Sequence, residues 1–221
     1  GVSNQTFTAL ATSGSGTTNA IVGGGATNSI LTINQSTNTV FAGALGGAGT
    51  NENNLNLVKS DSGELSLTGV STYNGSTTVT GGRLLINATT ALPATTSGLT
   101  VGDGAELFLR ATNPAAGVVY GISGAGNTIT VGSATGATLG FALDGGFNSQ
   151  LFLATGQTMS LTGTLTTRVE IINTPIASQD YILINGTDAN SLGLTGTFSL
   201  SPTIINGGSF TYALRRETNG G

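Results

Sequence analysis

Residues 57–87, LVKSDSGELSLTGVSTYNGSTTVTGGRLLIN, decide the fold of this 221-residue chain. Apolar residues alternate with other residues in short runs, as in Leu65-Ser66-Leu67, and Gly, Ser, Thr and Asn separate the runs. Alternation with a period of two directs one side chain inward and the next outward, so each run predicts a short strand with one buried face. Because turn-forming residues bound every run, the stretch predicts two or three short strands joined by tight turns.

The same pattern, in which one intervening residue separates two apolar residues, recurs along the chain. The doublets are Leu31/Ile33, Leu55/Leu57, Leu65/Leu67, Leu99/Val101, Leu107/Leu109, Ile129/Val131, Leu151/Leu153 and Met159/Leu161. No segment keeps apolar residues at the three-and-four spacing of an amphipathic helix. The sequence therefore predicts an all-β protein.

The spacing of these residues predicts a parallel β-solenoid. Two series advance in steps of 22 residues: Leu55, Thr77 and Leu99, and Leu107, Ile129 and Leu151. A repeat of this length cannot bury its apolar face alone, and stacking on its neighbours closes a continuous core. We predict a parallel β-helix of about 22 residues per rung over residues 1–156, with roughly six to eight rungs. The same register would place Asp61 beside Arg83.

The pattern changes near residue 157. Strand-like runs lengthen at 168–172, 181–185, 196–200 and 209–214, and the 22-residue step is lost. We predict that residues 157–221 form a terminal β-subdomain, either a cap or a broadened last set of rungs.

Composition excludes several classes of protein. Charged residues are only 7%, but apolar residues are 38%, which is too many for a hydrophilic disordered chain. The absence of Cys and His removes disulfides, the usual zinc ligands and every triad that needs an imidazole. A net charge of −4 without a clustered basic face argues against nucleic acid as a partner. No apolar run reaches the roughly 18 residues of a membrane span.

We predict no catalytic, cofactor-binding or metal site. Asp103, Glu106 and Asp144 have no acidic residue 22 positions before or after them, whereas glycoside hydrolysis uses paired carboxylates. Residues 102–104, Gly-Asp-Gly, favour a turn, since the nonapeptide calcium pattern is missing. The glycine-rich runs lack the Lys-Ser/Thr ending of a phosphate-binding loop.

The aromatic residues are candidates either for the core or for stacking on sugars. Core or corner packing is the prediction for Tyr73, Tyr120, Phe141, Phe147 and Phe152. Phe108 is different, because it alternates out of phase with its apolar neighbours and is predicted to point outward.

Residues 57–84 resemble the autotransporter-associated β-strand repeat, also called the passenger-associated transport repeat. The matching elements are Leu57-Val58-Lys59, the strand and turn at 63–69, the Thr72-Tyr73-Asn74-Gly75 corner, Thr77-Thr78-Val79 and Gly81-Gly82-Arg83-Leu84. The resemblance implies a right-handed β-helix on a secreted bacterial protein, located outside the cell or on its surface after export. Residues 31–47 and 98–109 look like weaker copies.

The sequence favours a structural, non-enzymatic protein whose partners are copies of itself. Residues 1–10 carry no charge, although an exposed strand edge is normally capped or charged. A charged fraction of 7% is also low for a soluble monomer. We predict filaments, sheets or a sheath. Two alternatives remain open: an adhesin or glycan-binding stalk, and a polysaccharide-degrading enzyme. Since the chain starts at Gly1, we interpret it as a processed or truncated piece of a precursor.

Overall fold

A computed structural model describes residues 3–14, 18–93, 97–110, 117–122, 127–154, 156–176, 179–186, 192–194 and 197–201. These residues contain strands and turns and no helix. The strands are β1 (Gln5–Phe7), β2 (Ala20–Ile21), β3 (Ser29–Asn34), β4 (Thr39–Phe41), β5 (Ala44–Leu45), β6 (Leu55–Ser60), β7 (Glu64–Leu67), β8 (Thr77–Val79), β9 (Arg83–Ile86), β10 (Leu99–Val101), β11 (Glu106–Leu109), β12 (Val118–Ile122), β13 (Thr128–Val131), β14 (Gly136–Asp144), β15 (Phe147–Leu153), β16 (Thr158–Leu161), β17 (Thr164–Asn173), β18 (Ile184–Gly186), β19 (Leu192–Leu194) and β20 (Thr197–Ser201).

The strands stack in parallel, as the strands of a β-solenoid do. The first sheet has the order β1-β3-β6-β8-β10-β13-β16-β19, and the second has the order β4-β7-β9-β11-β14-β17-β20. A third row, β12-β15-β18, begins later in the chain, and β2 pairs with β5. The only antiparallel pairing in the described residues joins the end of β14 to the start of β15. Six of the eight described strands of the first sheet lie within residues 1–156, in agreement with the predicted six to eight rungs.

The core lies between the sheets and consists of the predicted doublets. All eight doublets fall on strands, and each of their sixteen side chains is buried in one continuous cluster. The period-two alternation therefore identified the inward-facing residues correctly. Val79, Leu84, Ile86 and Leu139 extend the same cluster.

The 22-residue register is right in one part of the stack and wrong in the rest. Thr77 pairs with Leu99, as predicted, but Thr77 also pairs with Leu57 and not with Leu55. In the second series, Ile129 pairs with Leu99 in the first sheet, whereas Leu107 pairs with Leu139 in the second. The connections between strands differ in length, so a constant step cannot hold.

The predicted contact between Asp61 and Arg83 is wrong for the same reason. Arg83 of β9 pairs with Glu64 of β7, and its guanidinium lies 3.0 Å from the Glu64 carboxylate. Asp61 lies in the turn before β7, where its carboxylate accepts a hydrogen bond from the backbone N–H of Ser62. Its positive φ of 65° is typical of a tight turn.

Strands beyond residue 157 extend the sheets that begin earlier in the chain. β16 pairs with β13 and β17 pairs with β14, both in parallel. The predicted run at 168–172 lies within β17, and β18 covers part of the run at 181–185. Residues 197–200 of the third run lie in β20, and the run at 209–214 lies outside the described residues.

Candidate functional site

Charged side chains gather on the outer face of the second sheet, the face turned away from the core. Glu64, Arg83 and Glu106 follow one another on β7, β9 and β11. Each alternates with a buried leucine of the core, which directs the charged side chain outward. The Arg83 guanidinium lies 3.0 Å from Glu64 and 3.6 Å from Glu106.

Two further ion pairs cross the intervening β14: they connect β11, and Arg110 directly after it, to β17. Arg168 lies 3.0 Å from Glu106, and Arg110 donates to Glu170 through Nε at 2.9 Å and through Nη2 at 3.0 Å. The outward positions of β14 between these pairs are Thr138, Gly140 and Ala142. These residues are small, so the long side chains can meet above them. We call this set of six charged residues the bridged cluster.

The electrostatics of the bridged cluster are internally balanced. Burial raises the pKa of Glu106, while the guanidinium groups of Arg83 and Arg168 oppose that rise. The hydrogen bonds that Arg110 donates to the Glu170 carboxylate raise the pKa of Arg110. Three arginines face three glutamates, and Arg83 lies between the carboxylates of Glu64 and Glu106. A glycoside hydrolase needs substrate between two such carboxylates, and here an arginine lies between them.

The ring of Phe108 points away from the core, as predicted, but it is not available to a sugar. Its neighbours Leu107 and Leu109 belong to the core cluster and Phe108 does not. The side chain is nevertheless 0% exposed, because the Arg83 guanidinium lies 4.4 Å from the ring centroid. The ring also lies against Gly140, where a Cβ would overlap it. Phe108 and Arg83 thus form a cation–π contact under the bridged cluster.

The other aromatic residues divide into buried and exposed groups. Tyr73, Tyr120 and Phe141 are buried in the core, which confirms the prediction for them. Phe152 is half-buried. Phe147 is 37% exposed and lies at the hairpin between β14 and β15, so of the predicted core or corner packing it shows the corner position and not burial in the core.

Asp103 forms a turn, as predicted, and its carboxylate holds the next turn of the stack. It accepts hydrogen bonds from the Ser133 hydroxyl at 2.6 Å and from the backbone N–H groups of Ser133, Ala134 and Gly136. These donors lower the pKa of the Asp103 carboxyl far below its ordinary value. Asp103 therefore joins two successive turns of the stack.

Lys59 is a buried cation that the sequence reasoning missed. It follows Leu55 and Leu57 in phase on β6 and is 0% exposed. Its Nζ donates to the backbone carbonyl oxygens of Ser60 at 2.8 Å, Asp61 at 2.9 Å and Gly81 at 3.3 Å. The period-two alternation already placed Lys59 inward, so the signal was present in the sequence.

Two concave surfaces lie in the described part of the chain. A hollow of about 290 Å³ opens beside β1 and includes Gln5, Phe7, Ile21 and Leu31 in its lining. A smaller groove of about 110 Å³ lies beside the β14–β15 hairpin, between β12 and β15. Neither surface includes a charged residue in its lining.

Within the described residues, no group of three or more acidic side chains is arranged to hold a metal ion. None of the described segments forms a helix long and apolar enough to cross a membrane.

Comparison with known families identifies one repeat in the chain. Residues 57–86 match the family model of the Passenger-associated-transport-repeat, as the sequence predicted. The match includes β6, β7, β8 and β9, with the buried Lys59 and the outward Arg83. This repeat implies a secreted or surface-exposed protein of the autotransporter-passenger type. Comparisons with curated proteins and with solved structures found no significant match.

Proposed function

We propose that this chain is a non-enzymatic structural element of the bacterial exterior, and that its copies associate with one another. Its repeat is of the passenger type, and its strands stack in parallel over eight levels. The handedness rule for parallel connections within one sheet supports a right-handed coil. The observation that carries the association is the exposed edge of β1.

One edge of strand β1 has no described strand beside it. Within the described residues β1 pairs with β3 on its other edge, and all three of its residues are exposed. Phe7 pairs with the fully buried Ile33 and therefore lies on the core side of the sheet, yet 44% of its side chain is exposed beside the hollow. None of residues 1–51 is charged. Such an edge is a template for pairing with another strand.

The outer face of the first sheet is a second uncharged surface. One row of side chains runs along it through seven successive strands: Thr6, Thr32, Val58, Thr78, Thr100, Thr130 and Ser160. At about 4.8 Å per strand, the row extends roughly 29 Å. Regular ladders of identical side chains can pack against each other in dry interfaces. We propose that this face supports side-by-side contacts, which would widen filaments into sheets.

The test is the size of the purified 221-residue chain as its concentration rises. We expect light scattering to show growth and negative-stain microscopy to show filaments, sheets or tubes. A Phe7→Lys variant should shift growth to at least tenfold higher concentration, because association would bury the lysine beside the apolar side chains of Ile21 and Leu31.

The matched control is Val70→Lys, which adds the same charge at an exposed position away from β1. It should assemble as the unmodified chain does. A monodisperse monomer at high concentration, or an equal loss of assembly in both variants, would refute association through β1.

A further inference from the structure

The groove beside the β14–β15 hairpin combines an exposed aromatic ring with side-chain amides. Phe147 and Val119, which is 56% exposed, lie in its lining together with Asn148 and Gln150. Val119 and Gln150 are direct neighbours on β12 and β15. Among the described residues, Phe147 and Phe7 are the two phenylalanines with strongly exposed side chains.

The two amides are held in fixed orientations. Asn148 donates through Nδ2 to the carbonyl oxygens of Ser149 and Ile182, both at 2.7 Å. Both amide hydrogens of Asn148 can be used in this way, which leaves its Oδ1 as an acceptor. Gln150 donates through Nε2 to Ile182 at 3.1 Å, and this leaves one N–H and one oxygen. Because the backbone of Ile182 anchors both residues, little side-chain entropy remains to be lost on binding.

We infer that this groove binds a neutral saccharide. The apolar face of a pyranose ring suits Phe147 and Val119, and sugar hydroxyls both donate and accept, which suits Asn148 and Gln150. Asn148 and Gln150 lie two residues apart on β15, about 6.6 Å, so they can contact different hydroxyls of one ring. The groove of about 110 Å³ is shallow, so one terminal sugar unit is the part that it can contact.

The charge distribution favours a neutral ligand over an anionic one. No lysine or arginine contributes to the lining of the groove. The arginines of the described residues are paired with glutamates in the bridged cluster. A sulfated or carboxylated sugar would therefore lose its hydration here without gaining a cationic partner.

The experiment uses the full chain on a printed array of neutral and anionic glycans, followed by titration of the best neutral glycan. We expect binding to neutral glycans that is unchanged between low salt and about 0.5 M salt. Phe147→Ala should weaken this binding at least tenfold, and Gln150→Ala should weaken it severalfold. Val119→Glu places a charge in the groove at an exposed position and should weaken binding while leaving the fold intact.

The matched control is Val70→Ala, which removes an exposed apolar side chain that lies outside both the groove and β1. It should leave glycan affinity unchanged. Four results overturn the inference: no neutral glycan bound, affinity unchanged by both Phe147→Ala and Val119→Glu, equal loss in Val70→Ala, or binding confined to anionic glycans and abolished by salt. None of these results depends on whether copies associate through β1.

Discussion

Replacing Lys59 with methionine tests whether the buried ammonium stabilises the stack. The Lys59→Met substitution keeps a long unbranched side chain in the core and removes the three hydrogen bonds to Ser60, Asp61 and Gly81. Two effects of opposite sign then compete. The variant no longer has to bury a charge, but it leaves three carbonyl groups without their donor.

The hydrogen bonds should dominate. Each stranded acceptor costs about 1–3 kcal/mol when buried, and less where water can reach it, as in the exposed turn at Asp61. Removing the buried charge recovers several kcal/mol at most, because the three charge-assisted hydrogen bonds already offset part of the burial penalty in the native chain. We expect the free energy of unfolding to fall by about 2–3 kcal/mol.

The pH dependence gives an independent signature. Burial lowers the pKa of Lys59, and the nearby Asp61 only partly opposes this effect. Between the lowered folded value and the ordinary value of 10.5, the unfolded chain binds more protons than the folded chain. The penalty for burying the charge is therefore complete below the folded pKa and is relieved as the pH rises through this window. Stability should rise there in the native chain, and Lys59→Met should lack this rise.

Urea unfolding followed by circular dichroism measures both effects. The control is Val58→Met, at the position directly before Lys59 on β6 but on the outer face of the sheet. There the free energy of unfolding should change by no more than about 0.5 kcal/mol. Equal or greater stability in Lys59→Met than in the native chain would refute the reasoning. It would mean that burying the ammonium costs more than its three hydrogen bonds contribute.

Two further predictions concern the packing of neighbouring turns. Gly140→Ala would place a methyl group inside the volume of the Phe108 ring and should lower the free energy of unfolding in urea by about 1–3 kcal/mol. Gly24→Ala is the control, because open space surrounds that glycine and the stability of the chain should not change. Equal effects of the two substitutions would contradict the close packing of Gly140 and Phe108. Asp103→Asn should flatten the loss of thermal stability in acid, because the lowered pKa of this carboxyl gives stability that is present above 3.8 and disappears as the pH falls. An unchanged acid profile in Asp103→Asn would show that these hydrogen bonds do not contribute to folding.

Alternation predicted the core, because it depends only on which residues are adjacent in the chain. Leu55, Leu65 and Leu67 are buried on strands because their neighbours are polar and the strand period is two. The same rule applied to Lys59 would have predicted its burial.

The bridged cluster could not be predicted in this way, since it depends on register. Glu106 meets Arg83, 23 residues before it, and Arg168, 62 residues after it. A constant 22-residue step places neither residue beside Glu106, because the connections between strands vary in length. The burial of Phe108 could not be predicted for the same reason, because Arg83 covers the ring from the neighbouring strand β9.

The ion pairs that pass over β14 change how this stack should come apart. In a repeat protein each strand is coupled mainly to the strands directly beside it, so unfolding can spread one level at a time. Glu106–Arg168 joins β11 to β17, its second neighbour, and Arg110–Glu170 joins the residue directly after β11 to β17. Removing β17 would therefore leave Glu106 of β11 without Arg168, even though β14 would still cover the edge of β11. Hydrogen exchange should detect β11, β14 and β17 opening together as a single cooperative unit, so that fraying of the stack stops at this point.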